Sequence, residues 1–157
     1  VSTRSFGGVV VLASGAVLGA VLLSQYWGGL APCELCLMER WPWDAALVIG
    51  LAAAVIGGRE WLRWVALVMA LLFVASAALA FYHFGVEQHW FAGPTACTAG
   101  STSATSIEEL RKQILGHQAV PCDQSQWSLL GVSLAGWNFL ASLAMVAACL
   151  GVARRAR

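Results

Sequence analysis

Cysteines are the residues in this chain with the most chemistry to offer: there are five among 157 residues, and four of them fall into two groups. Cys33 and Cys36 form a Cys-x-x-Cys pair in "LAPCELCLMERWPW", while Cys97 and Cys122 stand far apart in a later polar segment. Thiols so placed support three chemistries: two structural disulfides, a four-cysteine zinc site, or a thiol–disulfide relay. Zinc sites of that kind usually show two close pairs, and the separation of Cys97 from Cys122 does not. A Cys-x-x-Cys bridge closes a very small loop and constrains the unfolded chain little, so it stabilises little. Tight pairs of this kind more often have a lowered thiol pKa and an accessible sulfur. The residues favour a relay.

The elements that must position these sulfurs are apolar. The chain is 59% hydrophobic and 11% charged, with a mean hydropathy of +0.73, against about 25% charged residues in a soluble domain. Such a chain cannot bury its apolar surface in water, so lipid is its expected solvent. The net charge of +1 gives no support for nucleic-acid binding. The apolar runs predict four spans, at about 6–27, 41–58, 64–84 and 127–153 of a single membrane domain. The first is read as a retained span rather than a signal peptide, because its apolar run is long and no cleavage motif ends it. Within it, Gly15 and Gly19 fit the small-xxx-small pattern of close helix approach. The expected fold is an all-α membrane protein, a four-transmembrane-helix bundle.

Arg4, Arg59, Arg63, Arg154, Arg155 and Arg157 fall on one side of these spans, against Arg40, Arg111 and Lys112 on the other. The excess of positive charge predicts cytoplasmic termini and puts loops 28–40 and 85–126 on the opposite, oxidising side, where disulfides persist. Trp27, Trp41, Trp43, Trp90 and Trp127 would form an aromatic belt there. Four of the five cysteines then face that side; Cys149, inside the fourth span, reads as a small buried apolar residue.

If the second helix starts near Cys33, its free N–H groups point toward Cys36 and favour a thiolate there. Arg40 follows Cys36 by one helical turn and would stabilise a thiolate or a reduced oxygen; its plainer reading is a snorkelling anchor paired with Glu39. Pro42 implies either a kinked helix beginning at the cysteines or a short turn followed by a new helix at Pro42. In the second loop, Ser106-Ile-Glu-Glu109 is a capping box, and Ile107, Leu110, Ile114 and Leu115 recur at helical spacing. A short amphipathic helix is expected there, with Cys97 and Cys122 on exposed, flexible backbone around it. A Cys97–Cys122 bridge would close a loop of about two dozen residues, worth up to ~3 kcal/mol. Asp44 sits at the membrane edge, Glu87 reads as solvated, and Asn138 is expected to make an interhelical hydrogen bond.

The segments "PCELCLMER", "GVEQHWFAGPTAC", "PCD" and "LLGVSLAGWNFLAS", in this order along nearly the whole chain, resemble the disulfide bond formation protein B (DsbB) family. The resemblance implies an inner-membrane, quinone-dependent thiol oxidase with Cys33–Cys36 and Cys97–Cys122 disulfides. It implies that a reduced periplasmic DsbA-like thioredoxin-fold partner attacks Cys97. The released Cys122 then attacks Cys33, and Cys36 is left as the thiolate that passes electrons to ubiquinone or menaquinone. Arg40 matches the family's arginine beside the quinone, and His83, with His89 nearby, is the counterpart of a family histidine at the outer end of the third span. Leu37, Trp41 and Trp43 offer apolar surface for a ring and tail. Two alternatives stand beside it. One is a vitamin K epoxide reductase-like oxidase, whose Cys-x-x-Cys follows rather than precedes the distal pair. The other is a non-enzymatic membrane scaffold stapled by two disulfides.

Overall fold

The computed structural model describes residues 1–94, 107, 111 and 120–156. The expected amphipathic helix at 106–115 lies almost wholly outside these residues, as does Cys97. Four long helices make the body: α1 (Thr3–Tyr26), α3 (Arg40–Ile56), α4 (Leu62–Glu87) and α5 (Leu134–Arg155). A five-residue helix α2 (Glu34–Met38) precedes α3, and a 3₁₀ turn (Arg59–Trp61) leads into α4. α1 runs along α3 and α4 along α5. By length and composition α1, the 59–87 segment and α5 can each cross a membrane. At 17 residues α3 is shorter, about 26 Å at 1.5 Å per residue.

The outward faces are apolar: Leu12, Val48, Ile56 and Leu71 are each at least two-thirds exposed, a surface suited to lipid. The interior relies on small residues with a few large ones. Trp43 and Phe73 meet edge to face, ring centroids 4.9 Å apart, in a core that includes Val10, Met69 and Cys149. Ser142 donates to Ser76 across α4 and α5 at 2.9 Å. Helices α1 and α3 approach closely at Gly7, where an added Cβ would come within 2.6 Å of both the Gly50 carbonyl oxygen and the Ala54 nitrogen. Gly15 and Gly19 have open space instead, so the small-residue contact falls about two to three turns earlier than the sequence pattern suggests.

Two expectations about helix starts are resolved by proline and turn chemistry. Pro42 lies in the first turn of α3, where its missing N–H leaves no intrahelical bond unmade. A proline there would clash with the carbonyl of Met38, four residues back, and α2 ends at Met38. The chain therefore makes a short helix and then a new one. The fourth helix begins at Leu134 rather than Trp127. The intervening residues form a hairpin, with Ser128–Leu129 (β1) antiparallel to Val132–Ser133 (β2). Its two turn residues, Leu130 and Gly131, both have positive φ (54° and 78°), as a two-residue hairpin turn matching the strand twist requires. Ser133 then caps α5, its hydroxyl accepting from the Gly136 N–H at 3.2 Å.

Trp27, Trp41, Trp90 and Trp127 are exposed around the end of the bundle that carries the Cys-x-x-Cys pair. Trp43 is not part of that belt. It is 2% exposed and belongs to the core.

Candidate functional site

Cys33 is the N-cap of α2, and its sulfur accepts from the Cys36 N–H at 3.1 Å. The N-terminal dipole of α2 thus acts on Cys33, not on Cys36 as the sequence suggested, because the capping position goes to the first cysteine of the pair. The two sulfurs are 2.6 Å apart, with both thiols free. The Cys36 thiol, donating to the Cys33 sulfur, holds the Cys33 thiol below its ordinary range; burial opposes this, and the Cys36 amide assists it. Cys36 is pushed up by making that donation and by its own burial. A lowered pKa means the Cys33 thiolate persists to lower pH than an ordinary thiol. Peptide-resolved iodoacetamide labelling of the reduced protein is expected to show the Cys33 rate levelling off at lower pH than the Cys36 rate.

His83, from the last turns of α4, is 3% exposed and presents Nε2 to the Cys33 sulfur at 3.5 Å. Its Nδ1 lies 2.6 Å from Glu39 Oε1. Asn138 of α5 donates to Glu39 Oε2 at 2.6 Å, and Trp43 donates to Asn138 Oδ1 at 2.9 Å. Asn138 therefore makes the interhelical bonds expected of it. His89, with a left-handed φ of 59°, is an exposed turn residue beyond α4, so the histidine brought to the thiols is His83.

Arg40 and Cys36 do not share one helix, because α2 ends between them, yet both line the same cleft. Val21, Ser24 and Gln25 of α1, His83 and Glu87 of α4, and Leu134 and Ala135 of α5 complete much of its wall. Arg40 Nη2 donates to Gln25 Oε1 at 2.8 Å, and its buried Nε has no hydrogen-bond partner among the described residues. Trp43 is in the core, while Trp41 and Leu37 are exposed and contribute nothing to this wall. Asp44 is exposed as well.

Cys122 is disulfide-bonded and 1% exposed, packed in one apolar cluster with Cys33, Leu35 and Val86. The expectation of an exposed backbone site fails for this cysteine: Val120 and Cys122 fold in over the Cys-x-x-Cys pair. The Cys33 and Cys36 sulfurs and a ring nitrogen of His83 also lie within 4.8 Å of one another, a spacing open to a metal. The sulfurs at 2.6 Å are nonetheless closer than the ~3.8 Å two thiolates adopt on one tetrahedral zinc with ~2.3 Å bonds.

Residues 3–152 match the family model described as disulfide bond formation protein DsbB. The chain belongs to the DsbB family. Proteins named Disulfide bond formation protein B are similar to it over most of its length. That of Stutzerimonas stutzeri is 28% identical over 95% of this chain and 93% of its own. That of Aromatoleum aromaticum is 29% identical over 98% and 95%, and that of Verminephrobacter eiseniae 32% over 84% and 75%. No solved structure matches the chain. Membership of the DsbB family, together with helices able to cross a membrane, makes this a membrane protein of disulfide bond formation.

Two residues of the site were missed from sequence. The sequence suggests Glu39 as a partner for Arg40, but its carboxylate turns to His83. The sequence suggests a solvated Glu87, but its side chain is 6% exposed, held by the Ser133 hydroxyl and 4.0 Å from His83 Nε2. A usable signal existed for Glu87, which follows His83 by one helical turn.

Proposed function

We propose that this protein is a quinone-dependent thiol oxidase of the bacterial inner membrane. It re-oxidises a periplasmic DsbA-like dithiol and carries the electrons through Cys97–Cys122 and then Cys33–Cys36. The observation that supports this most is the shared cleft of Cys36 and Arg40, with the buried, unpartnered Arg40 Nε. A donor of that kind fits a ligand that brings an acceptor oxygen, as a quinone carbonyl does. A quinone, when bound, supplies the two-electron, two-proton oxidant that the chain's own residues lack. Arg40 would hold its oxygen, and Cys36, lining the same cleft, would be the sulfur facing it.

The chain's residues do the rest. The partner's thiolate attacks Cys97 and the sulfur of Cys122 is released. Packed in one cluster with Cys33, Cys122 has a short path to attack it, and Cys36 leaves as the thiolate. Re-oxidising a strongly oxidising dithiol by exchange alone runs uphill, each 30 mV costing about 1.4 kcal/mol, so the terminal acceptor drives the sequence. The arginine distribution supports cytoplasmic termini with the cysteine pairs on the periplasmic side.

Purified protein given reduced DsbA-like partner is expected to turn over only when a ubiquinone or menaquinone is added, followed by quinone absorbance. Arg40→Gln should raise the quinone KM about tenfold or more, the worth of a charge-assisted hydrogen bond, with kcat less affected. Sustained partner oxidation without quinone would overturn the proposal.

A further inference from the structure

We infer that Glu39 is the positioning residue that fixes the tautomer of His83, so that His83 Nε2 takes the proton of the Cys33 thiol. The two ring nitrogens of His83 have unequal surroundings. Nδ1 has a carboxylate oxygen at 2.6 Å, well within hydrogen-bond range. Nε2 has the Cys33 sulfur at 3.5 Å and the Glu87 carboxylate at 4.0 Å, beyond hydrogen-bond range. A neutral ring therefore carries its proton on Nδ1, donated to Glu39, and leaves the Nε2 lone pair toward sulfur.

Glu39 is itself fixed. Its second oxygen accepts from Asn138 Nδ2, and Asn138 is held by the indole of the buried Trp43. That chain spans α3, the junction before it, α4 and α5, so the ring orientation is built into the bundle and not into one loop. The proton transfer balances simply. The Cys33 S–H bond breaks, its electron pair stays on sulfur, and the proton passes to Nε2. The products are a thiolate and an imidazolium that Glu39 stabilises. No electrons leave the chain in this step.

The other charged or titratable groups around the ring and sulfur are few. Glu87 approaches from α4 itself, held by the Ser133 hydroxyl. Cys36 of α2 hydrogen-bonds to the Cys33 sulfur, and Arg40 of α3 lines the same cleft, bonded to Gln25 of α1. On α5 the facing group is the neutral Asn138.

The role rests on the oxidase reading for its purpose but not for its chemistry, and its test uses neither quinone nor partner. In Glu39→Gln the carboxamide oxygen can still accept from Asn138, but its NH₂ then faces Nδ1. The ring must turn that nitrogen into an acceptor and carry its proton on Nε2, against the sulfur. Peptide-resolved iodoacetamide labelling of reduced Cys33 is expected to slow about 10²-fold at pH 7 in Glu39→Gln. It should recover about tenfold per pH unit at higher pH, as the thiolate forms without help, while wild type should rise less steeply. Glu39→Asp should recover part of the rate. A Glu39→Gln profile parallel to wild type, whatever its height, would overturn the assignment. If that variant does not fold, nitrogen-15 NMR of the wild-type imidazole decides. A neutral ring protonated on Nδ1 supports the assignment, and one protonated on Nε2 refutes it. Loss of quinone dependence in wild type with the Glu39 effect intact would instead refute the oxidase reading alone.

Discussion

Cys36→Ala is expected to abolish sustained turnover while sparing the first encounter with the partner. Each molecule should oxidise about one equivalent of reduced DsbA-like protein through its distal disulfide and then stop. The reason is that no other group can take the place of this sulfur. Among the described residues the remaining free thiols are Cys33, its own partner, and Cys149 of α5, buried in the core. Losing a covalent participant costs on the order of 10³-fold or more in steady-state rate. Cys149→Ala is the control and should turn over at the wild-type rate, since Cys149 lies among core residues and not on the cleft. Multiple turnovers by Cys36→Ala, read from quinone absorbance, would remove Cys36 from the path. A fold in which the two pairs are merely staples would show neither the burst nor the arrest.

Gly7→Val should be the most damaging single change to the bundle away from the thiols. Its Cβ would meet backbone atoms of α3 on two sides at 2.6 Å, and backbone cannot move aside as a side-chain tip can. Overpacking of this kind costs about 3 kcal/mol, roughly 6–12 °C in Tm for a chain of this size. Gly15→Val and Gly19→Val have open space around them and should melt within a degree or two of wild type. Because α1 supplies Gln25 and Val21 to the cleft, Gly7→Val should also weaken quinone binding at temperatures where the protein remains folded. Equal melting of the Gly7 and Gly15 variants, followed by circular dichroism in detergent, would show that α1 and α3 do not meet there.

Much of this was legible in the residues. The uninterrupted apolar runs of α1, α4 and α5 announce themselves because lipid demands a continuous apolar stretch. The Cys-x-x-Cys spacing points to redox chemistry by itself, and Asn138 in an apolar helix had to find a partner. What stayed hidden depended on distance in sequence. The partner of Glu39 lies 44 residues away, and only the packing of α4 on the α2–α3 junction decides whether that carboxylate meets His83 or solvent. The hairpin before α5 was hidden differently. "SLLGVS" is apolar enough to read as the start of a span, and its signal is one glycine after a leucine that must adopt positive φ. Gly7 and Gly15 both sit among small and apolar residues of one helix, so the true point of contact follows from how α1 leans on α3.

The break between Met38 and Glu39 makes the spacing of "CELCLMER" a matter of phase. A five-residue helix cannot hold itself in water or lipid, so α2 keeps its rotation only through its ends: the Cys33 cap on one side, the bonds of Glu39 to His83 and Asn138 on the other. Each residue added or removed between Cys36 and Glu39 would turn the sulfurs by about 100° relative to Arg40. A chain of this kind can exchange Leu35 or Met38 for other apolar residues and keep its chemistry. It cannot change the count between its second cysteine and its glutamate, because that count is the angular setting of one half of the site against the other.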